Sequence, residues 1–182
     1  MNFIDLINLK LSLLVVIGQI VIAFLLVSMF LKKEPNNIIN FFSKNALFFS
    51  FIITLGATLF SLFYSEIAGY EPCKLCWFQR IFMYPQVIIL GMALWKKNRE
   101  VADYAITLSI IGAIIAGYHY LLGFGLVPNI PCSAISQTVS CSQNFVTNFG
   151  YITIPLMSFT GFLLIIVLLV TQKFYGKNIK SI

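Results

Sequence analysis

Among the 182 residues of this chain, the four cysteines offer the most chemistry. Cys73 and Cys76 form a C-x-x-C pair, while Cys132 and Cys141 form a looser pair with eight residues between them. A loop as short as C-x-x-C removes little conformational entropy from the unfolded chain, so a disulfide there adds little stability. Thiol–disulfide exchange is the use that remains for it. A four-cysteine zinc site suits the first pair, but the spacing of the second is poor for structural zinc and an oxidising exterior disfavours it. No bound metal is therefore expected. Pro72 and the loop before it give way to helix near Cys76, which puts that sulfur at a helix N-terminus, where unpaired N–H groups and the helix dipole favour a thiolate. Cys76 is expected to be the reactive sulfur. Arg80 follows it by four residues, one helical turn deeper on the same face, where a permanent charge can stabilise the thiolate and polarise a carbonyl oxygen of a bound ligand. The plain alternative for Arg80 is an arginine snorkelling to an interface.

The elements that must position these residues are membrane spans. The chain is 59% hydrophobic and only 10% charged, and from Tyr104 to Gln172 it has no Asp, Glu, Lys or Arg. No water-soluble surface is built that way. The net charge of +6 lies in short clusters at the ends of apolar runs, which marks cytoplasmic loops and not a nucleic-acid footprint. Five spans are expected: Leu11 to Leu31, Asn45 to Ser65, Trp77 to Trp95, Tyr104 to about Phe124, and Ile152 to Thr171. A stretch of 21 residues makes about 31 Å of helix, enough for a hydrocarbon core of about 30 Å. If loops 32 to 44 and 96 to 100 and the C-terminal tail are cytoplasmic, nine of the twelve basic residues lie inside. All four cysteines and the N-terminus are then outside and the C-terminus is cytoplasmic, as in a multi-pass protein of a bacterial inner membrane. The first apolar run reads as an anchor, since no basic segment precedes it and Lys32-Lys33 follow it. His119, the one histidine, falls at a depth similar to Arg80, where it can donate to the same ligand oxygen or bond to a neighbouring helix. Glu66 reads as an interfacial charge at the outer end of the second span.

The runs EPCKLCWFQRIFMYPQ and GAIIAGYHYLLG, then PC, SC and GYITIPLMSF, resemble the DsbB family of disulfide bond formation proteins, in its BdbC-like branch. The resemblance covers residues of roughly 46 to 172 and implies an all-α four-helix transmembrane bundle, residues 46–182, carrying the catalytic parts. Residues 1–45 are then an extra N-terminal transmembrane helix and cytoplasmic linker beyond the family's usual four spans. The resemblance further implies a membrane quinone (ubiquinone or menaquinone) as electron acceptor and a soluble thioredoxin-fold protein, DsbA-like, as donor. Cys132 matches the cysteine attacked by the partner's thiol, and Cys141 the one expelled. Cys76 matches the cysteine that attacks the quinone, Cys73 its partner, and Arg80 the arginine at the quinone. His119 and Met157 are weaker matches to residues lining that cofactor. Only eight residues separate Cys132 from Cys141, a shorter segment than in the founding members.

Two other classes use similar parts. A vitamin K epoxide reductase-like enzyme has its loop pair before the C-x-x-C, the reverse of the order here. A non-enzymatic zinc-bearing membrane scaffold would bind about one metal per chain and ignore quinone. The orientation can be checked directly. After reduction, a membrane-impermeant thiol reagent added to intact cells should label Cys73, Cys76, Cys132 and Cys141, whereas a cysteine placed at Lys97 should stay unlabelled. Labelling at position 97 from outside would invert the topology.

Overall fold

Away from water, backbone N–H and C=O groups must pair within their own segment, so long uncharged runs become helices. The computed structural model of the chain describes residues 3–31, 37–127 and 148–176. Their elements are α1 (Phe3–Phe30), α2 (Asn37–Lys44), α3 (Ala46–Glu66), α4 (Lys74–Lys96), α5 (Ala102–Gly123) and α6 (Ile154–Gly176). Four stretches, Ile4–Phe30, Ala46–Glu66, Ala102–Gly123 and Ile154–Gly176, are long and apolar enough to cross a membrane. Helix α4 has the length, at 23 residues, but Gln79, Arg80 and Gln86 dilute its apolar character.

Two expectations need adjustment. Helix α1 starts at Phe3 and not near Leu11, so Lys10 lies within it, exposed. The stretch 32 to 44, read as a plain loop, contains the eight-residue helix α2. That helix buries Ile39 and Ser43 and leaves Ile38 and Phe41 exposed, an amphipathic pattern too short to stand out as a span.

Helices α3, α4, α5 and α6 follow one another around a ring, α6 closing back onto α3, and both α1 and α2 pack on α6. The shared core includes Met83, Leu90, Ala105, Ala113, Phe162 and Leu169. Small residues on the buried side of α5 let α6 approach. A Cβ added at Gly112 would lie 2.4 Å from the ring of Phe162, which is completely buried. At one end of the bundle Asp103 and Lys173 form an ion pair between α5 and α6. The other end gathers the C-termini of α3 and α5 with the N-termini of α1, α4 and α6.

Helix α1 is docked by a row of polar groups on one side. The Tyr64 hydroxyl of α3 donates to Asn8 Oδ1 at 2.6 Å, and Asn148 Nδ2 donates to Ser12 Oγ at 2.8 Å. Farther along, Gln19 Nε2 donates to Thr160 Oγ1 at 3.5 Å and the Tyr175 hydroxyl to the Ser28 carbonyl at 3.2 Å. Asn8 is 7% exposed and Ser12 fully buried, so neither has water as a substitute partner. Asn8→Leu and Tyr64→Phe should therefore each lower stability in detergent micelles by about 1 kcal/mol, typical of an interhelical hydrogen bond in a membrane protein. The double variant should lose less than the sum of the two. Strict additivity would mean that the two side chains do not interact.

Candidate active site

The loop that returns from α3 to α4 is braced at its middle. After Glu66 the chain turns through Gly69 at φ +70°, a left-handed conformation that glycine adopts without a Cβ clash. The Tyr70 N–H then donates to the Tyr64 carbonyl at 2.9 Å, and the two tyrosine rings stack with centroids 5.8 Å apart. Since Asn8 holds Tyr64 from α1, the loop is fixed from two helices. Cys73 is the N-cap of α4, in an extended conformation, and its carbonyl accepts the Trp77 N–H at 3.1 Å. Cys76 lies in the first turn, among orphan N–H groups that favour negative charge.

The two thiols are 3.5 Å apart, sulfur to sulfur. Their surroundings differ. Cys73 is 4% exposed and packs on Leu122 of α5, whereas Cys76 is half-buried. Behind Cys73 stands His119, itself 4% exposed, with Nε2 3.6 Å from the Cys73 sulfur. The other ring nitrogen, Nδ1, is 2.9 Å from Gln79 Nε2, so α4 holds the imidazole at both ends. Cys73, in the loop ahead of α4, has its pKa pushed up to about 11, first by its contact with Cys76 and then by burial, while His119 pulls it down. A thiol so placed is almost entirely protonated near neutrality and is a poor nucleophile there.

One turn deeper, Arg80 reaches across to α3. Its Nε donates to Ser61 Oγ and its Nη2 to the Ser61 carbonyl, both at 3.0 Å, and the Tyr84 hydroxyl joins the same Ser61 Oγ at 3.2 Å. The guanidinium carbon lies 5.3 Å from the Trp77 ring centroid, within cation–π range. A guanidinium has five N–H donors, and Ser61 orients the group while leaving others for a ligand.

The structure thus joins Cys73, Cys76 and His119 and sets Arg80 a turn below, turned towards α3. His119, expected either to face the same ligand oxygen as Arg80 or to bond to a neighbouring helix, is directed at Cys73 and at Gln79 of α4. Met157 lies in the first turn of α6, half-buried, and takes no part in the polar contacts that link these groups. Glu66 is exposed at the end of α3. Cys132 and Cys141 lie outside the described residues. Sequence reasoning missed Gln79, Ser61 and Tyr84. A glutamine inside an apolar span was a signal for the first, but a serine on another helix gave none. Among the described residues, the ligand atoms of Cys73, Cys76 and His119 form the one group able to hold a metal ion, all within 4.8 Å of one another. An open groove of about 450 Å3 between α5 and α6, lined by Ile110, Ile114, Gly117, Tyr118, Phe159 and others, is almost wholly apolar. Tyr118 connects it to the cluster around Cys73.

A buried C-x-x-C dithiol at the end of a bundle of apolar helices defines a membrane protein of thiol–disulfide chemistry, and comparison with known proteins makes the class specific. The family model for disulfide bond formation protein DsbB matches residues 43–172. Disulfide bond formation protein C of Bacillus subtilis is 41% identical over 131 residues, covering 70% of this chain and 91% of that protein. Probable disulfide formation protein C 1 of Bacillus cereus is 43% identical over 118 residues, 65% of this chain and 81% of its own length. A prophage-derived disulfide bond formation protein B of Bacillus subtilis is 45% identical over 115 residues, 63% of this chain and 76% of its own. No solved structure matches the chain. The chain belongs to the DsbB family of multi-pass membrane proteins that generate disulfides.

The asymmetry of the two thiols can be measured. At pH 8 a thiol with a pKa near 11 is thiolate in about one molecule in a thousand, against about a quarter for an ordinary cysteine. In the reduced protein Cys76 should therefore be alkylated first, as read by mass spectrometry across a pH series. His119→Ala removes the one group that lowers the Cys73 pKa, so alkylation of Cys73 should slow further. Faster reaction at Cys73 than at Cys76 would overturn the assignment of the nucleophile.

Proposed function

We propose that the protein reoxidises a soluble DsbA-like thioredoxin-fold partner and delivers the electrons to a membrane quinone, which supports disulfide formation in exported proteins. The observation that carries this reading is the division of labour at the head of α4: a half-buried Cys76 at a helix N-terminus, and a buried Cys73 backed by His119. In this reading α4 is the fifth span, and both cysteine pairs and the N-terminus face outward. A partner thiolate attacks the Cys132–Cys141 disulfide at Cys132, and exchange with Cys73–Cys76 moves two electrons inward.

Closing the Cys73–Cys76 dithiol to a disulfide releases two electrons and two protons, and a bound quinone is the group that would accept them. The residues present fit such a group. Arg80 offers a fixed cation one turn from the Cys76 sulfur, where charge on a carbonyl oxygen would develop. His119 Nε2, 3.6 Å from the Cys73 sulfur, takes the Cys73 proton as that sulfur attacks Cys76 when the Gln79 carboxamide is turned to present its oxygen to Nδ1–H; with Gln79 Nε2 donating to Nδ1, the ring instead carries its proton on Nε2 and donates it towards Cys73. The helix N-terminus and Arg80 favour the thiolate form of Cys76, whose sulfur would become open to attack by Cys73 only once it has given up electrons to a bound quinone.

Purified protein mixed with quinone and a reduced thioredoxin-fold partner should oxidise the partner only when quinone is present, with quinol absorbance as the readout. Arg80→Met should slow quinone reduction by the factor that corresponds to about 2–4 kcal/mol, the usual cost of removing one oxyanion donor. Exchange between partner and protein should survive that change. Arg80→Lys keeps the charge without the planar fork and should fall between the two, mostly by raising the KM for quinone. Wild-type quinone kinetics in Arg80→Met would leave Arg80 as an interfacial arginine only.

A further inference from the structure

The trio Cys73, Cys76 and His119 has a geometry that thiol exchange alone does not demand. A tetrahedral zinc ion has Zn–S bonds of about 2.3 Å and Zn–N bonds of about 2.0–2.1 Å. Two sulfurs on such an ion stand about 3.8 Å apart, and a sulfur and a nitrogen about 3.6 Å. Here the sulfurs are 3.5 Å apart and the Cys73 sulfur is 3.6 Å from His119 Nε2. Two edges of the tetrahedron are therefore nearly in place without an ion. The spacing of the second cysteine pair, which counted against a four-cysteine site, does not bear on a Cys2His set.

The support around the trio is also of the kind that metal ligands use. A ligating histidine donates from its other ring nitrogen to an oxygen, and the Gln79 carboxamide, 2.9 Å from Nδ1 through its Nε2, offers its Oε1 there once the amide is turned over. Cys73 and His119 are each 4% exposed, which removes the competition of water for two of the three ligands. Cys76 is half-buried, so the trio is not sealed from the surface on that side.

We propose that the reduced C-x-x-C pair and His119 form a redox-gated site for a thiophilic divalent cation, zinc above all, which holds the enzyme in its reduced state and blocks quinone reduction. Binding converts two thiols to thiolates and releases two protons, with no change in oxidation state. The disulfide form offers neither thiolate and binds nothing. An ion captured by the Cys76 thiolate occupies the nucleophile that the proposed quinone reaction needs, so inhibition rests on that reading, whereas the binding does not. The consequence is regulatory. Reduced enzyme accumulates when the acceptor is scarce, and only then is the site open to the ion.

The test uses the full-length chain with Cys132→Ser and Cys141→Ser, which confines the remaining thiols to the trio. Cobalt(II) serves as the spectroscopic probe and zinc alone as the competitor. Reduced protein should bind one cobalt ion, with thiolate charge-transfer absorbance and the intense visible bands of a tetrahedral site, and zinc should displace it. Oxidised protein should show neither. Gln79→Leu should weaken zinc binding by at least about tenfold, as second-sphere changes do, and His119→Ala by more. Equal binding by the oxidised protein, or an unchanged affinity in His119→Ala, would overturn the site. If His119→Ala fails to fold, the comparison of reduced with oxidised protein still decides. In otherwise unchanged chain, zinc should inhibit quinone reduction when added before quinone, in proportion to the fraction of protein that is reduced. Quinone turnover absent even without zinc would overturn the proposed function and leave the metal site standing. Zinc binding without inhibition would overturn its regulatory role.

Discussion

Packed among apolar helices, a polar side chain must find its partner within the protein, and α4 is the helix on which that constraint falls hardest. Gln79, Arg80 and Gln86 lie on it within two turns. Each is satisfied by a different arrangement: Gln79 by His119 of α5, Arg80 by Ser61 of α3, and Gln86 by the Phe82 carbonyl of its own helix and by Ser109 of α5. The ring order, with α4 between α3 and α5, follows from the same need, because only that place gives α4 a polar partner on both sides. A helix that carries three strongly polar groups among apolar neighbours is held in one rotational setting, since turning it would take them from their partners.

That rotational setting decides the chemistry at the head of the helix. Cys73 and Gln79 both face His119, so Cys73 is buried and held as a thiol. Cys76, in the first turn, keeps access to the outside of the bundle, and Arg80 on the α3 side supplies positive charge one turn below. In the proposed reaction one sulfur is thereby the nucleophile and the other its proton-bearing partner, although the two are neighbours on the same short loop. The contact with Cys76 and burial together raise the pKa of Cys73, although the two thiols have the same intrinsic pKa.

Much of this was legible in the sequence, and the parts that were not share a cause. The number and spacing of the cysteines, the long uncharged runs, and the place of Arg80 one turn beyond Cys76 are local features, fixed by residues a few positions apart. Span limits came within a few residues for α3, α5 and α6 for the same reason. The direction of His119 was not legible, because depth along a helix says nothing about which neighbour it faces. Only the partner, Gln79, forty residues away, settles that. Ser61 gave no signal at all, since its role comes from Arg80 being across from it in the ring. Helix α2 escaped because eight amphipathic residues look like a polar loop when apolar length is the criterion.

The placement of α1 follows from these long-range pairings as well. It lies outside the family match, which begins at residue 43, and most of its surface is apolar and faces outward. Lipid alone would accept such a helix anywhere around the bundle. Asn8 and Ser12, one turn apart, remove that freedom. Asn8 holds Tyr64, against which Tyr70 of the C-x-x-C loop stacks, and Ser12 holds Asn148, the first described residue after the second cysteine pair. Asn148 is also bridged to Ile152, which is fully buried at the head of α6. A single turn of α1 therefore touches the supports of both cysteine-bearing segments. Exchange between two disulfides depends on how well their mutual position is maintained, because the effective concentration of one for the other falls steeply as the segments between them lengthen. Helix α1, which also buries Ile22 and Leu25 against Ala46, Val167 and Leu168, thus braces through these two hydrogen bonds both the C-x-x-C loop and the described segment that leads into α6.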